Sequence, residues 1–114
     1  MKNPRTKRLK FVHYDEGYYR DFLDLFTDED VMRYVDKGVL SVPAADALWH
    51  KLTREFYPSG IKTIWAVVAK DDGRFIGNAS IRPRPEQNSE TEVGYMLMPA
   101  EWGKGFATEI AQGL

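Results

Sequence analysis

The chain contains no cysteine. That excludes a disulfide framework, a thiolate zinc site and a cysteine nucleophile, and it is compatible with a cytoplasmic location. No apolar run approaches the ~18–20 residues of a membrane span. The basic opening MKNPRTKRLK is not followed by the long apolar stretch of a secretory leader and reads as a solvated terminus. An excess of one charge is also missing: 16 Lys and Arg against 17 Asp and Glu leave a net charge of -1. A general nucleic-acid binder would carry a clear basic excess. Neither His13 nor His50 has a metal-ligand partner at useful spacing, so both read as structural or solvated and no metal is expected. No internal repeat or low-complexity tract is visible.

What is present suits one packed domain. The chain has 114 residues, 43% hydrophobic and 29% charged, enough for a single core. Three Trp, six Tyr and six Phe supply bulk for it, and Trp49 and Trp65 read as core. Leu9 to Tyr14 is the first strand expected. Asp15 caps an amphipathic helix to about Phe26, with Tyr19, Phe22, Leu23 and Phe26 on one face. Thr27 with Asp30 resembles a capping box that opens a short helix carrying Val31, Met32 and Val35 and ended by Gly38. Ser41-Val42-Pro43 starts a helix to about Tyr57 with a stripe of Leu48, Leu52 and Phe56.

The period then changes. Thr63 to Ala69 is apolar on both faces, as in a strand covered on both sides. Asp71-Asp72-Gly73 signals a hairpin turn, Arg74 to Arg82 the return strand, and the segment from Pro83 through Ser89 an exposed loop. Glu92 to Met98 is a further strand, closed by Pro99. From Phe106 the chain reads as a helix through Ala107, Ile110 and Ala111. That helix reads as cut rather than finished at Leu114, so the sequence is expected to be the N-terminal part of a longer domain.

Between the last strand and the last helix lies Trp102-Gly103-Lys104-Gly105-Phe106-Ala107-Thr108. A strand, a glycine turn and a helix start form an anion site, because the first helical N–H groups lack internal partners and the dipole is positive there. Glycine lets backbone approach the anion, and Lys104 adds a cation. A Walker-type loop fails, since Gly105 rather than Ser or Thr follows Lys104. A dinucleotide fingerprint is weak, since Thr108 stands at its third position and no βαβ unit precedes it. A plain helix start entered through a flexible turn stays open on the glycines alone.

The run Glu92-Val93-Gly94-Tyr95-Met96-Leu97-Met98-Pro99, followed by Glu101 to Glu109, resembles the GNAT superfamily of N-acetyltransferases. It looks most like the branch of ribosomal-protein N-terminal acetyltransferases (RimJ/RimL-like). Phe75-Ile76-Gly77 and Val31-Met32-Arg33-Tyr34 also fit the family pattern. The resemblance implies an α+β fold: a mixed, mostly antiparallel central sheet flanked by helices, here incomplete at the C-terminus. It implies an acetyl-CoA-dependent transfer to a primary amine, a protein N-terminus or a small amine, by direct attack in a ternary complex.

Carried over residue by residue, Gly105 and Ala107 fall on the last two fixed positions of the family's pyrophosphate motif. Trp102 stands where Gln or Arg is usual. The backbone of Gly103, Lys104, Gly105, Phe106 and Ala107 would anchor the pyrophosphate, with Trp102 and Thr108 also expected at the cofactor. Met96, Leu97 and Met98 would pair with the pantetheine arm, and an edge amide there would stabilise an oxyanion. Glu92 is the expected general base. Arg33, Tyr34 and Asn78 are expected at the acceptor. The general acid is expected beyond Leu114. The expected partners are acetyl-CoA and an amine, without nucleic acid or membrane, and self-association into a homodimer is compatible with the reading. The alternatives are a non-catalytic CoA-binding or strand-edge interaction module and, more remotely, a nucleotide-binding domain of another class.

Overall fold

The computed structural model describes residues 3–33, 38–84 and 90–114, and across 82–84 and 90–93 it describes the backbone alone. Its centre is a four-stranded sheet in the order β1 (Leu9–Val12), β2 (Ile64–Ala69), β3 (Phe75–Arg84) and β4 (Glu90–Leu97). Every neighbouring pair is antiparallel. The helices α1 (Tyr19–Phe26), α2 (Glu29–Met32) and α3 (Val42–Lys51) lie between β1 and β2 in sequence, and α4 (Phe106–Gly113) follows β4. This is the helix-flanked α+β architecture expected from the sequence.

The unbroken apolar run of β2 is explained by helices on both sides of it. On one face Trp65, Val67 and Ala69 pack with Leu9, Phe11, Leu97 and the α4 residues Phe106 and Ile110. On the other, Ala66 packs with Tyr14, Phe22, Trp49 and Leu52. Leu25, Val31 and Met32 extend that second layer over Phe75, Met96 and Met98. Strand alternation thus sorts one short segment into two cores.

Several local boundaries differ from those expected of the sequence. Asp15 does cap, accepting from the Gly17 amide, but it opens a single 3₁₀ turn (Glu16–Tyr18) that precedes α1. The cap of α2 is Asp28, not Thr27: the Asp28 carboxylate accepts from the amides of Asp30 and Val31. Thr27 instead turns back and donates its hydroxyl to the Leu23 carbonyl, closing α1. Val35 lies outside the described residues. Ser41 caps α3 as expected, accepting from Ala44. The helix continues beyond Lys51 as a π-helical turn (Leu52–Phe56), and the buried stripe is Ala45, Trp49 and Leu52, with Leu48 and Phe56 at its margin.

A bulge in β3 inserts Ile76 between the pairs Val67↔Gly77 and Val68↔Phe75. It turns Ile76 onto the α4 side, where it is fully buried, and leaves Phe75 on the other. Beside it β3 and β4 approach so closely that a Cβ on Gly77 would lie 2.0 Å from the Met96 carbonyl oxygen. Among the described residues β4 has no strand on its other side.

Candidate functional site

β4 ends at Leu97, and a 3₁₀ turn (Pro99–Glu101) leads into the glycine turn. Gly103 and Gly105 both take left-handed backbone, at φ 77 and φ 82, where an L-side chain is strained. Gly105 is the N-cap of α4 and offers no side-chain acceptor to the helix. The first α4 amide engaged by its own helix is that of Glu109, donated to the Gly105 carbonyl at 3.2 Å. The amides of Phe106, Ala107 and Thr108 therefore open into the turn, as the first N–H groups of a helix must. They follow two positive-φ glycines and are backbone donors at the positive end of a helix dipole.

Of the three residues Met96 to Met98 beside the turn, one presents its backbone to the edge of β4 that carries no strand among the described residues. The Met98 amide donates back to Ile76 in β3 at 2.9 Å. By the antiparallel alternation Met96, paired with Asn78, also directs its backbone to β3. Leu97 directs its N–H and C=O outward. Its carbonyl accepts the indole N–H of Trp102 at 3.0 Å, which leaves the Leu97 N–H at the edge. Met96 and Met98 contribute side chains to the α1–α2 layer instead.

Charged residues outside the turn hold it from two directions. Glu101 is buried. Its two oxygens receive the Arg74 fork, from Nε at 3.1 Å and Nη2 at 3.2 Å, and Lys104 Nζ at 3.2 Å. The Arg74 hydrogen bonds hold the Glu101 carboxyl below its ordinary pKa; desolvation works against them and Lys104 adds to them. Arg74 is raised by Glu101 first and then by Asp72, which it also bonds at 3.1 Å. On the other side Glu109 accepts from the Thr6 hydroxyl, from the Arg8 amide at 2.8 Å and from Arg8 Nε at 2.6 Å. Burial alone would raise the Glu109 pKa, but these bonds together bring it below the ordinary value. Arg8 also donates Nη2 to the Lys104 carbonyl at 3.1 Å and stacks 4.3 Å over the Phe106 ring.

Sequence reasoning does not find Arg8, Arg74, Glu101 or Glu109 as site residues. Glu101 and Glu109 lie inside the quoted motif, but their arginine partners are 27 and 101 residues away in the chain. No local pattern joins them. Lys104, expected as a cation beside the anion, is already committed to Glu101.

The acceptor-side residues fall in different surroundings. Asn78 is buried, and its Oδ1 accepts the Tyr14 hydroxyl at 2.7 Å. Burial, then Tyr57 and Asp21, raise the Tyr14 pKa and keep it a donor. Arg33 is exposed and pairs with Asp30 at 2.7 Å. Tyr34 lies outside the described residues. Glu92 pairs with Arg82 in the β3–β4 register, and its side chain also lies outside them. His13 meets the Lys62 carbonyl at 2.8 Å and His50 meets Asp46 at 3.4 Å, while Trp49 and Trp65 are core. Among the described residues no three carboxylate or imidazole groups converge as a metal site, and no helix is long and apolar enough to cross a membrane.

Comparison with known proteins bears on this geometry. Residues 8–114 match the model of the acetyltransferase (GNAT) domain. The chain is 31% identical over 90 residues to the uncharacterized protein YkkB of Bacillus subtilis, covering 77% of this chain and 51% of that protein. It is 34% identical over 50 residues to the uncharacterized N-acetyltransferase p20 of Bacillus licheniformis, covering 44% of this chain and 28% of p20. Among solved structures, an acetyltransferase (GNAT family) from Bacillus anthracis superposes with TM-score 0.75 at 19% identity, over 98% of this chain and 63% of that one. A ribosomal-protein-alanine N-acetyltransferase from Brucella melitensis gives TM-score 0.54 at 17% identity, over 90% of this chain and 65% of that one. The chain spans about half the length of YkkB and less of p20.

Proposed function

The chain belongs to the acetyltransferase (GNAT) family, and from that premise we propose that it forms the cofactor-binding part of an acetyl-CoA-dependent N-acetyltransferase acting on a primary amine. The observation that carries the reading is the open set of amides at the start of α4, entered through Gly103 and Gly105 and set beside the free edge of β4. That arrangement fits a diphosphate joined to an extended arm. Successive N–H groups at a helix N-terminus suit the diphosphate, and a strand edge suits a chain of amides.

Acetyl-CoA supplies the acetyl group as a thioester. The amides from Gly103 to Thr108 are assigned to its pyrophosphate. The Leu97 N–H is assigned to the arm or the acyl oxygen, where a fixed donor stabilises developing negative charge. Met96 and Met98 are assigned apolar contacts from the helix layer, and Trp102 and Phe106 the walls of the turn. Glu92 is the base proposed to take the proton of the attacking amine. Arg33, Tyr34 and Asn78 remain the proposed acceptor-side residues, Asn78 with its carbonyl oxygen already engaged by Tyr14. The Trp102-to-Glu109 string supports assignment to the ribosomal-protein N-terminal acetyltransferase (RimJ/RimL-like) branch, and the proposed acceptor is a protein N-terminal amine or a small amine.

The test is calorimetric titration of the full-length protein with acetyl-CoA, followed by CoA release in the presence of N-terminal peptides and small amines. Saturable binding with amine-dependent release is expected. Binding without release from any amine would leave a CoA-binding module, and no binding at all would remove the reading.

A further inference from the structure

The glycine turn has little packing of its own. Gly103 has nothing within 4 Å of where a Cβ would sit, and Trp102, Lys104 and Gly105 are exposed. Its position is set by ties to other elements, and the most buried of these is the Glu101 carboxylate. A carboxylate shielded from water needs charged or hydrogen-bonding partners to stay there. Arg74, just before β3, fills both oxygens with a planar fork, a geometry that Lys does not reproduce. Arg74 is itself fixed by both Asp72 oxygens, at 3.2 and 3.1 Å. The β2–β3 hairpin thus grips the residue from which the turn departs, and the same carboxylate holds the ammonium of Lys104 inside the turn.

We propose that Arg74, acting through Glu101, is a positioning residue that holds the glycine turn in its anion-binding shape; this rests on the acetyl-CoA reading above. Arg74 touches neither the α4 amides nor the edge of β4. Without it, Lys104 is the one partner left to the Glu101 carboxylate among the described residues. The turn then shifts to solvate the carboxylate, and the amides lose their common aim. The diphosphate end of CoA senses this loss, whereas the pantetheine arm, held by β4, does not.

The test uses the full-length protein, with CoA binding measured by calorimetry and pantetheine binding by ligand-observed NMR. Arg74→Met is expected to weaken CoA roughly tenfold, the size of one lost well-aligned charged contact, with pantetheine unchanged. Arg74→Lys restores charge without the fork and is expected to recover only part of the affinity. If Arg74→Met does not fold, Glu101→Gln, which keeps the shape and drops the charge, carries the same expectation. Equal CoA affinity in a folded variant overturns the proposal, and so does an equal loss of CoA and pantetheine, which marks a general structural role. Absence of CoA binding in the unaltered protein overturns instead the reading on which the proposal rests.

Discussion

Trp102 donates its indole N–H to the carbonyl of Leu97 at 3.0 Å, so the first residue of the glycine turn is tied to the edge of the strand beside it. The tie consumes the outward carbonyl of Leu97 and leaves the outward N–H. Where Gln or Arg would reach from this motif position with a flexible polar chain, the indole makes a rigid corner. Trp102→Phe keeps an aromatic ring and removes the donor. It is expected to lower stability by about 1 kcal/mol, the net value of one such hydrogen bond, and, on the proposed acetyl-CoA reading, to raise the acetyl-CoA KM of the full-length protein about threefold with kcat little changed. Thermal unfolding and steady-state kinetics check both; an unchanged KM would show the corner to be dispensable.

The two left-handed glycines separate strain from contact. A Cβ at Gly103 meets nothing within 4 Å, whereas one at Gly105 lies 3.5 Å from Arg8 Nη2. Each Ala substitution is expected to cost about 1–2 kcal/mol from positive φ alone. Both should weaken CoA by more than they weaken the fold, Gly105→Ala the more strongly because it caps α4. Calorimetry beside chemical denaturation distinguishes the two effects.

Acid should release the clamp. The Glu101 pKa is lowered in the fold, chiefly by its Arg74 hydrogen bonds. Its contribution to stability is therefore complete above the ordinary carboxylate pKa and is lost as pH falls through the lowered value. Glu109, lowered net by Thr6 and Arg8 against the pull of burial, behaves with the same sign. The melting-temperature gap between the unaltered protein and Glu101→Gln is expected to be widest near neutral pH and to close as pH falls below the ordinary value of 4.5. A gap independent of pH would show that the charge on Glu101 carries no stability.

Tyr14→Phe removes the hydroxyl that Asn78 accepts at 2.7 Å inside the helix layer. Leaving that amide oxygen without its donor is expected to cost about 1–3 kcal/mol. Denaturant unfolding measures it, and Tyr14→Phe with Asn78→Leu, which removes both groups, should recover part of the loss.

Gly77→Ala tests the close approach of β3 and β4. With the Met96 carbonyl 2.0 Å from the new Cβ, the strands must separate, at an expected cost of about 3 kcal/mol. A variant as stable as the original would mean that β4 can move aside without penalty.

Much of the fold was legible because it is written in local periodicity. β2 declared two covered faces through Ile64 to Ala69, and Ser41 and Pro43 marked the start of α3. The misplaced cap shows where that legibility stops. Thr27 and Asp28 are both good capping residues, and the choice between them depends on whether α1 needs a closing hydroxyl, which it takes from Thr27. The bulge at Ile76 was invisible for a similar reason: alternation in one strand says nothing of how its partner counts residues.

The glycine turn divides the same way. The sequence by itself determined that Gly103 and Gly105 would precede a helix, because left-handed backbone and an uncapped helix start are demands on residue type at fixed spacing. It also determined the family, because the whole string from Glu92 to Glu109 is contiguous. Only the tertiary structure decided what holds the turn. Arg8 reaches it from the start of β1 and Arg74 from the β2–β3 hairpin, and pairings between residues so distant in the chain depend on how the sheet brings strand ends together. Tertiary structure also decided that Leu97, rather than Met96 or Met98, offers its amide to the free edge, since that is a consequence of the strand register.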